Sequence, residues 1–143
     1  MDITMKPQNS IAGEIRVPGD KSISHRSIML GAIAQGDTVI YGLLKGDDVI
    51  STWQCMEQLG IQIEEKKNAI VVHGRGLHGL RKPGNPLDAG NSGTTMRLLS
   101  GILAAQSFET TITGDASLQK RPMKRIADPL SQMSADIILS DQN

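Results

Sequence analysis

Residues 18–27 read PGDKSISHRS, and 71 positions after Gly19 residues 90–97 read GNSGTTMR. Laid over each other, Gly19–Arg26 and Gly90–Arg97 each hold Gly, then Asp or Asn, then small hydroxyl residues, then an Arg seven places after the Gly. A second pair follows in the same order: EQLGIQI at 57–63 and SQMSADI at 131–137. Two ordered matches at nearly one offset are the mark of an internal repeat. They predict that one folding unit is used twice.

The elements around these motifs follow from patterning. Residues 11–17, IAGEIRV, alternate and run into Pro18-Gly19, which predicts a strand and a turn. Residues 22–34 read as a helix with Met29, Leu30 and Ile33 as its buried stripe, and 37–44 as a strand around Val39 and Ile40. Asp47 or Asp48 is placed to cap a second helix, with Val49, Trp53, Met56 and Leu59 on one face and Gly60 ending it. Residues 61–65 and 69–73 then form strands about a hairpin at Lys66-Lys67-Asn68. The second unit repeats the plan: a short strand at 87–89, a helix over 91–105, a strand at 108–113, a helix over 122–133 with Met123, Ile126, Leu130 and Met133 inward, and a strand at 137–139. The last strand ends four residues before the C-terminus, so the chain is expected to be a fragment.

Composition narrows the possibilities. The 143 residues carry 15 Lys plus Arg against 15 Asp plus Glu, so a generally basic nucleic-acid binder is not expected. Hydrophobic residues make up 38%, enough for a core, yet aromatics are only 2%, namely Tyr41, Trp53 and Phe108. The core must therefore be aliphatic. Cys55 stands alone, which excludes an intrachain disulfide and makes a Cys/His metal site thin; a buried, inert thiol is expected. The polar N-terminal stretch shows no apolar core of a signal peptide, and the apolar run 98–105 is too short to span a bilayer. A cytoplasmic, membrane-free protein is the expectation.

The two Gly-led motifs carry the chemistry. Lys21, Ser22, Ser24 and Arg26 gather at a helix N-terminus, where free N–H groups and the helix dipole favour an anion such as phosphate or carboxylate. A capped helix with solvated Lys and Arg is the plainer alternative. The P-loop pattern is absent. At the second motif Asn91, Ser92, Thr94 and Thr95 crowd another helix start. Gly93 costs helix stability there, which makes sense where a ligand approaches the backbone; Arg97 repeats Arg26. In KRPMKR at 120–125, Pro122 at the first helical position would aim Arg121 from just outside the helix, while Lys124 and Arg125 are solvated. His25 either contacts a ligand or packs. No acid–base pair or acyl-transfer triad is apparent.

PGDKSISHRS, GNSGTTMR and KRP, in this order and spacing, closely resemble the N-terminal part of the 5-enolpyruvylshikimate-3-phosphate synthase family of enolpyruvyl transferases, over Gly13 to Leu139. The resemblance implies an α/β fold of β-α-β-α-β-β repeats in an inside-out barrel, with about one and a half of six repeats present. It implies a division into a first-strand region at 1–17 that serves the opposite domain, a first repeat at 18–77 and a truncated second repeat at 78–143. The implied reaction moves the enolpyruvyl group of phosphoenolpyruvate to the 5-hydroxyl of shikimate 3-phosphate in aromatic amino acid biosynthesis. No metal or organic cofactor is implied, and the full-length protein would be a monomer. Lys21 would bridge the attacking hydroxyl and phosphoenolpyruvate. Ser22 and Arg26 would hold shikimate 3-phosphate. Asn91, Ser92, Gly93 and Thr94 would line the phosphoenolpyruvate site, with Arg97 near it and Arg121 clamping it. The family's acid and base would lie beyond Asn143, so the chain alone is expected to be inactive. The sister enzyme acting on a UDP-aminosugar starts its first helix differently; it and a non-catalytic anion-binding fragment are the alternatives. Ser92 and Leu98 depart from the plant and enteric pattern, toward the branch less sensitive to glyphosate.

Overall fold

The computed structural model describes residues 3–140. Their order is α1 (Lys21–Ile33), β1 (Gln35–Tyr41), α2 (Asp47–Gln58), β2 (Gln62–Lys66), β3 (Ala69–Arg75), β4 (Leu87–Asp88), α3 (Gly93–Leu103), β5 (Ile112–Thr113), a 3₁₀ turn (Leu118–Lys120) and α4 (Lys124–Gln132). This is an α/β fold of alternating units, and each Gly-led motif opens the first helix of its unit. The β2–β3 hairpin forms where the sequence places it, around Lys67-Asn68. β3 is the central strand of an antiparallel sheet ordered β1-β3-β2, with Val39 opposite Val71 and Ile63 opposite Val72. β4 and β5 form a separate parallel pair.

One aliphatic core joins the two units. It takes Ile28, Met29 and Ala32 from α1, Val49, Met56 and Leu59 from α2, Ile70 and Val72 from β3, and Leu87, Leu99 and Leu103 from the second unit. Trp53 and Phe108 pack only at its margin. α1 can lie close on the sheet because Gly31 carries no side chain; a Cβ there would sit 3.1 Å from Thr38 and 3.3 Å from Val72.

The expected elements are corrected in several places. Residues 11–17 form no strand: the segment finds no ladder partner, and Ile15 is 84% exposed. The same holds at 137–139, where Ile138 is 90% exposed. The strand expected over 108–113 keeps only Ile112–Thr113, the two residues that meet β4. On α1 the buried face is Ser24, His25, Ile28, Met29, Gly31 and Ala32, whereas Leu30 points to solvent. On α2, Gly46 is the cap residue and makes no side-chain cap bond. Asp47 and Asp48 lie inside the first turn, where negative charge still suits the helix dipole. α4 begins at Lys124, so Pro122 is not its first residue. Its buried residue is Ala127, and Met133 is exposed.

Candidate anion site at two helix starts

α1 opens on Asp20, whose carboxylate accepts from the Ile23 N–H at 2.7 Å. The chain reaches this cap through a close backbone crossing. A Cβ on Gly19 would lie 3.2 Å from the Leu44 nitrogen, and Ser24 Oγ accepts from the Leu44 N–H at 3.0 Å. Lys21, Ser22 and Arg26 are exposed at this end of the helix. The Lys21 ammonium is ion-paired with the Asp48 carboxylate from the first turn of α2. Asp48 escapes a sequence reading because a first-turn acid is explained by helix electrostatics alone.

The α3 entrance is built differently. β4 ends, Gly90 turns with φ +56°, and the Asp88 carboxylate accepts the Gly90 N–H at 2.8 Å. Ser92 is the cap: its hydroxyl accepts from the Thr95 N–H at 3.1 Å, and the residue is fully buried. Its side chain thus faces the interior. Gly93 is buried and Thr94 half-buried beside it. A Cβ added to Gly93 would meet Arg97 Nη1 at 2.8 Å and Arg121 Nη1 at 3.2 Å. Two guanidinium groups from distant parts of the chain therefore converge over this helix start, and the missing side chain makes room for them.

Arg121 is aimed by its neighbours. It follows the 3₁₀ turn with extended angles, φ −82° and ψ 135°, the conformation imposed on a residue before proline. Pro122 therefore acts by restricting Arg121, not by starting α4. Asn91 steadies the group from the other side: its Oδ1 accepts from Arg121 Nη2, and its Nδ2 donates to Asp115 at 2.7 Å. Asp115 in turn accepts from the Ser117 and Leu118 N–H groups. Chiefly the Asn91 bond, then that of Leu118, holds its carboxyl below the usual range. Arg97 Nε is buried with no hydrogen-bond partner.

A buried polar chain links the two entrances. His25 Nδ1 lies 2.6 Å from Thr52 Oγ1, Thr52 Oγ1 lies 2.7 Å from Thr95 Oγ1, and Thr95 Oγ1 lies 2.7 Å from Ser92 Oγ and 3.2 Å from the Asp48 carbonyl. All four residues are buried. His25 accordingly packs; burial, the largest effect, and the nearby Lys21 and Arg26 push its pKa down against a smaller upward pull from Asp48. The sequence marks Thr95 only as one of the hydroxyl residues crowding the second helix start, and it gives no sign of Thr52, which falls within an otherwise apolar helix face. Cys55 is buried, with its thiol pushed up to about 11 by desolvation and by Asp88. His73 pairs with Asp37 on the sheet, and Lys124 and Arg125 are exposed on α4. Among the described residues no group of three His, Cys, Asp or Glu could hold a metal ion, and no helix is long and apolar enough to cross a membrane.

The family model for EPSP synthase (3-phosphoshikimate 1-carboxyvinyltransferase) matches residues 5–143. The 3-phosphoshikimate 1-carboxyvinyltransferase of Pelobacter propionicus is 54% identical over 136 residues, 95% of this chain and 32% of the relative. The enzyme of that name from Alkaliphilus metalliredigens is 58% identical over 127 residues, 89% of this chain and 30% of the relative. The EPSP synthase structure from Acinetobacter baumannii superposes with a TM-score of 0.82 at 55% identity, covering 87% of this chain and 28% of that one. The chain thus spans about a third of the length of the curated relatives it matches.

Proposed function

The chain belongs to the EPSP synthase family, and we propose that it forms one wall of the active site of a longer parent protein that transfers the enolpyruvyl group of phosphoenolpyruvate to shikimate 3-phosphate. The observation that carries this reading is the convergence of Arg97 and Arg121 over Gly93 at the start of α3. Two guanidinium groups and a helix N-terminus suit a small, multiply charged anion. Lys21, Ser22 and Arg26 at the start of α1 suit a second. Two anionic substrates brought side by side match that pair of sites.

In this reading Arg97, Arg121 and the Gly93 and Thr94 backbone hold phosphoenolpyruvate, Asn91 keeps Arg121 aimed, and Ser22 and Arg26 hold shikimate 3-phosphate. Lys21 lies between the substrates. The 5-hydroxyl oxygen adds to C2 of the enol as C3 takes a proton. The resulting ketal then loses inorganic phosphate from C2 and a proton from C3, restoring the double bond. Lys21 stabilises charge on the oxygens at both steps, by electrostatic placement. The acid and base belong to the rest of the parent. Residues 18–77 and 78–143 are read as one complete and one truncated repeat of six in an inside-out barrel, residues 1–17 as a strand serving the opposite domain, and the parent as a cytoplasmic monomer.

Phosphate release by the parent with each acceptor tests the assignment. Release with phosphoenolpyruvate and shikimate 3-phosphate, and none with a UDP-aminosugar, is expected. The opposite pattern reassigns the chain to the sister reaction, and release with neither leaves only an anion-binding protein.

A further inference from the structure

The chain His25–Thr52–Thr95 has a direction. Thr95 Oγ1 has one proton and three oxygen neighbours: Thr52 Oγ1, Ser92 Oγ and the Asp48 carbonyl. A carbonyl cannot donate, and at Ser92 Oγ the geometry has Thr95 as the donor. Thr95 Oγ1 thus shares its one proton between the Asp48 carbonyl and Ser92 Oγ, and at its third contact it accepts from Thr52 Oγ1. Thr52 has then spent its proton on Thr95, so it must accept from His25 Nδ1 at 2.6 Å. That requires a neutral ring with its proton on Nδ1. The far nitrogen, Nε2, is buried and has no partner. A bare lone pair is a cheaper orphan than a buried N–H, so the Nε2 site favours the same tautomer.

We propose that His25, Thr52 and Thr95 are positioning residues: a one-way hydrogen-bond chain, headed by His25 Nδ1–H, ties α1 to α3 through α2 and ends on Asp48, the residue whose carboxylate holds Lys21. The link to Lys21 rests on the function proposed above; the tautomer does not. Each member lies on a different helix, and Asp48 and Thr52 lie one turn apart on α2. A break at Thr52 frees the start of α2 to shift against α3, and Asp48 carries the Lys21 ammonium with it. The neutral ring also leaves no buried cation to compete with Lys21 for Asp48, in keeping with the downward push of burial, Lys21 and Arg26 on His25.

The test uses the parent labelled with ¹⁵N-histidine, with the His25 ring assigned by its loss in His25→Asn. A ring protonated on Nδ1 and bare on Nε2 at pH 7 to 8 is expected; an Nε2–H tautomer or a doubly protonated ring overturns the direction of the chain. Kinetics decide the positioning role. Thr52→Val keeps the shape and removes the hydroxyl, so kcat should fall by about 10- to 100-fold with KM for both substrates within about twofold. Thr52→Ser should restore kcat. Unchanged kcat in Thr52→Val, or equal loss in both variants, overturns positioning. If Thr52→Val does not fold, His25→Asn decides, because its amide N–H replaces Nδ1–H: kcat near wild type supports the chain and a collapse of kcat overturns it. A folded wild-type parent that releases no phosphate overturns the functional reading and the Lys21 link with it, while the imidazole spectrum still decides the tautomer.

Discussion

Gly93 sets stability and binding against each other at a single residue. An alanine there suits a helix first turn better, by about 1 kcal/mol, and its backbone needs no left-handed angle. The Cβ would, however, sit against Arg97 Nη1 and Arg121 Nη1. Both are ends of flexible side chains, so they yield and lose their aim. Gly93→Ala in the parent should therefore melt no lower than wild type, while KM for phosphoenolpyruvate rises by about tenfold or more, the worth of one weakened charge-assisted bond. A lower melting temperature with unchanged KM would refute this. Lys21 makes the complementary case. Lys21→Ala should cost about 10²- to 10³-fold or more in kcat, and Lys21→Arg should not rescue, since a planar fork cannot replace a compact ammonium; turnover near wild type with both substrates saturating would make Lys21 a surface residue paired with Asp48. Lys21, Gly93, Arg97 and Arg121 were legible in sequence because their chemistry stands at motif positions beside a helix start. The inward turn of Ser92 was not, because capping and ligand contact ask for the same residue types. Thr52, and the inward bonding of Thr95, were hidden for another reason: the contact joins residues 43 apart in the chain.

Helices, the hairpin and the strands at Val39 and Ile40 and at Leu87–Asp88 could be read from local signals, whereas the sequence could not tell which strand-like segments find a partner. α1, α2 and α3 begin where Asp20, Gly46 and Ser92 end an extended segment, and β2 and β3 close through a short local turn. Residues 11–17 alternate and 137–139 are a continuous apolar run, but neither pairs with a neighbouring strand, and patterning alone leaves backbone groups unpaired. The α1 stripe was misassigned because Leu30 and Met29 are adjacent apolar residues; the sheet beneath α1 selects Met29. Contact of α1 with α2 through His25 gives this element a pH signature. In the folded chain the ring is buried and its pKa lies below 6.5, the value it has when exposed. Unfolding then takes up a proton as pH falls below about 6.5, so this contribution to stability is present above that value and declines below it, by up to about 1.4 kcal/mol per pH unit until the folded ring itself titrates. Urea unfolding from pH 7.5 to 5.5 should show this decline in wild type and a flatter profile in His25→Asn. Identical profiles would mean that His25 keeps an ordinary pKa.

At the scale of the molecule, the proposed function gives the chain one face of a site, and a groove lies beside it. A cleft of about 680 Å³ runs between α3, α4 and residues 134–139, lined by Met96, Leu103, Ile126, Ile137 and Leu139. Of the converging cations only Arg97 reaches it. Polar residues such as Arg97, Glu109 and Asp136 share its lining, and the adjoining segment 134–139 lacks strand pairing. The core from Ile28 to Leu99 lies apart from that groove and meets it at Leu103. The 143-residue chain should therefore fold over residues 19–134 with loose ends, and should not catalyse. Enolpyruvyl transfer needs an acid, a base and an anion clamp held around two substrates with water excluded. Lys21, Arg26, Arg97 and Arg121 supply cations on one side only. A two-dimensional amide spectrum of the chain should be dispersed. Adding phosphoenolpyruvate or shikimate 3-phosphate should shift resonances near Ser22, Arg26, Asn91 and Thr94 only at millimolar concentration, because each ligand meets half of its contacts. Collapsed dispersion would show that the aliphatic core does not suffice. Phosphate release by this chain, free of any longer protein, would show that one wall is enough and overturn the division of labour argued from its geometry.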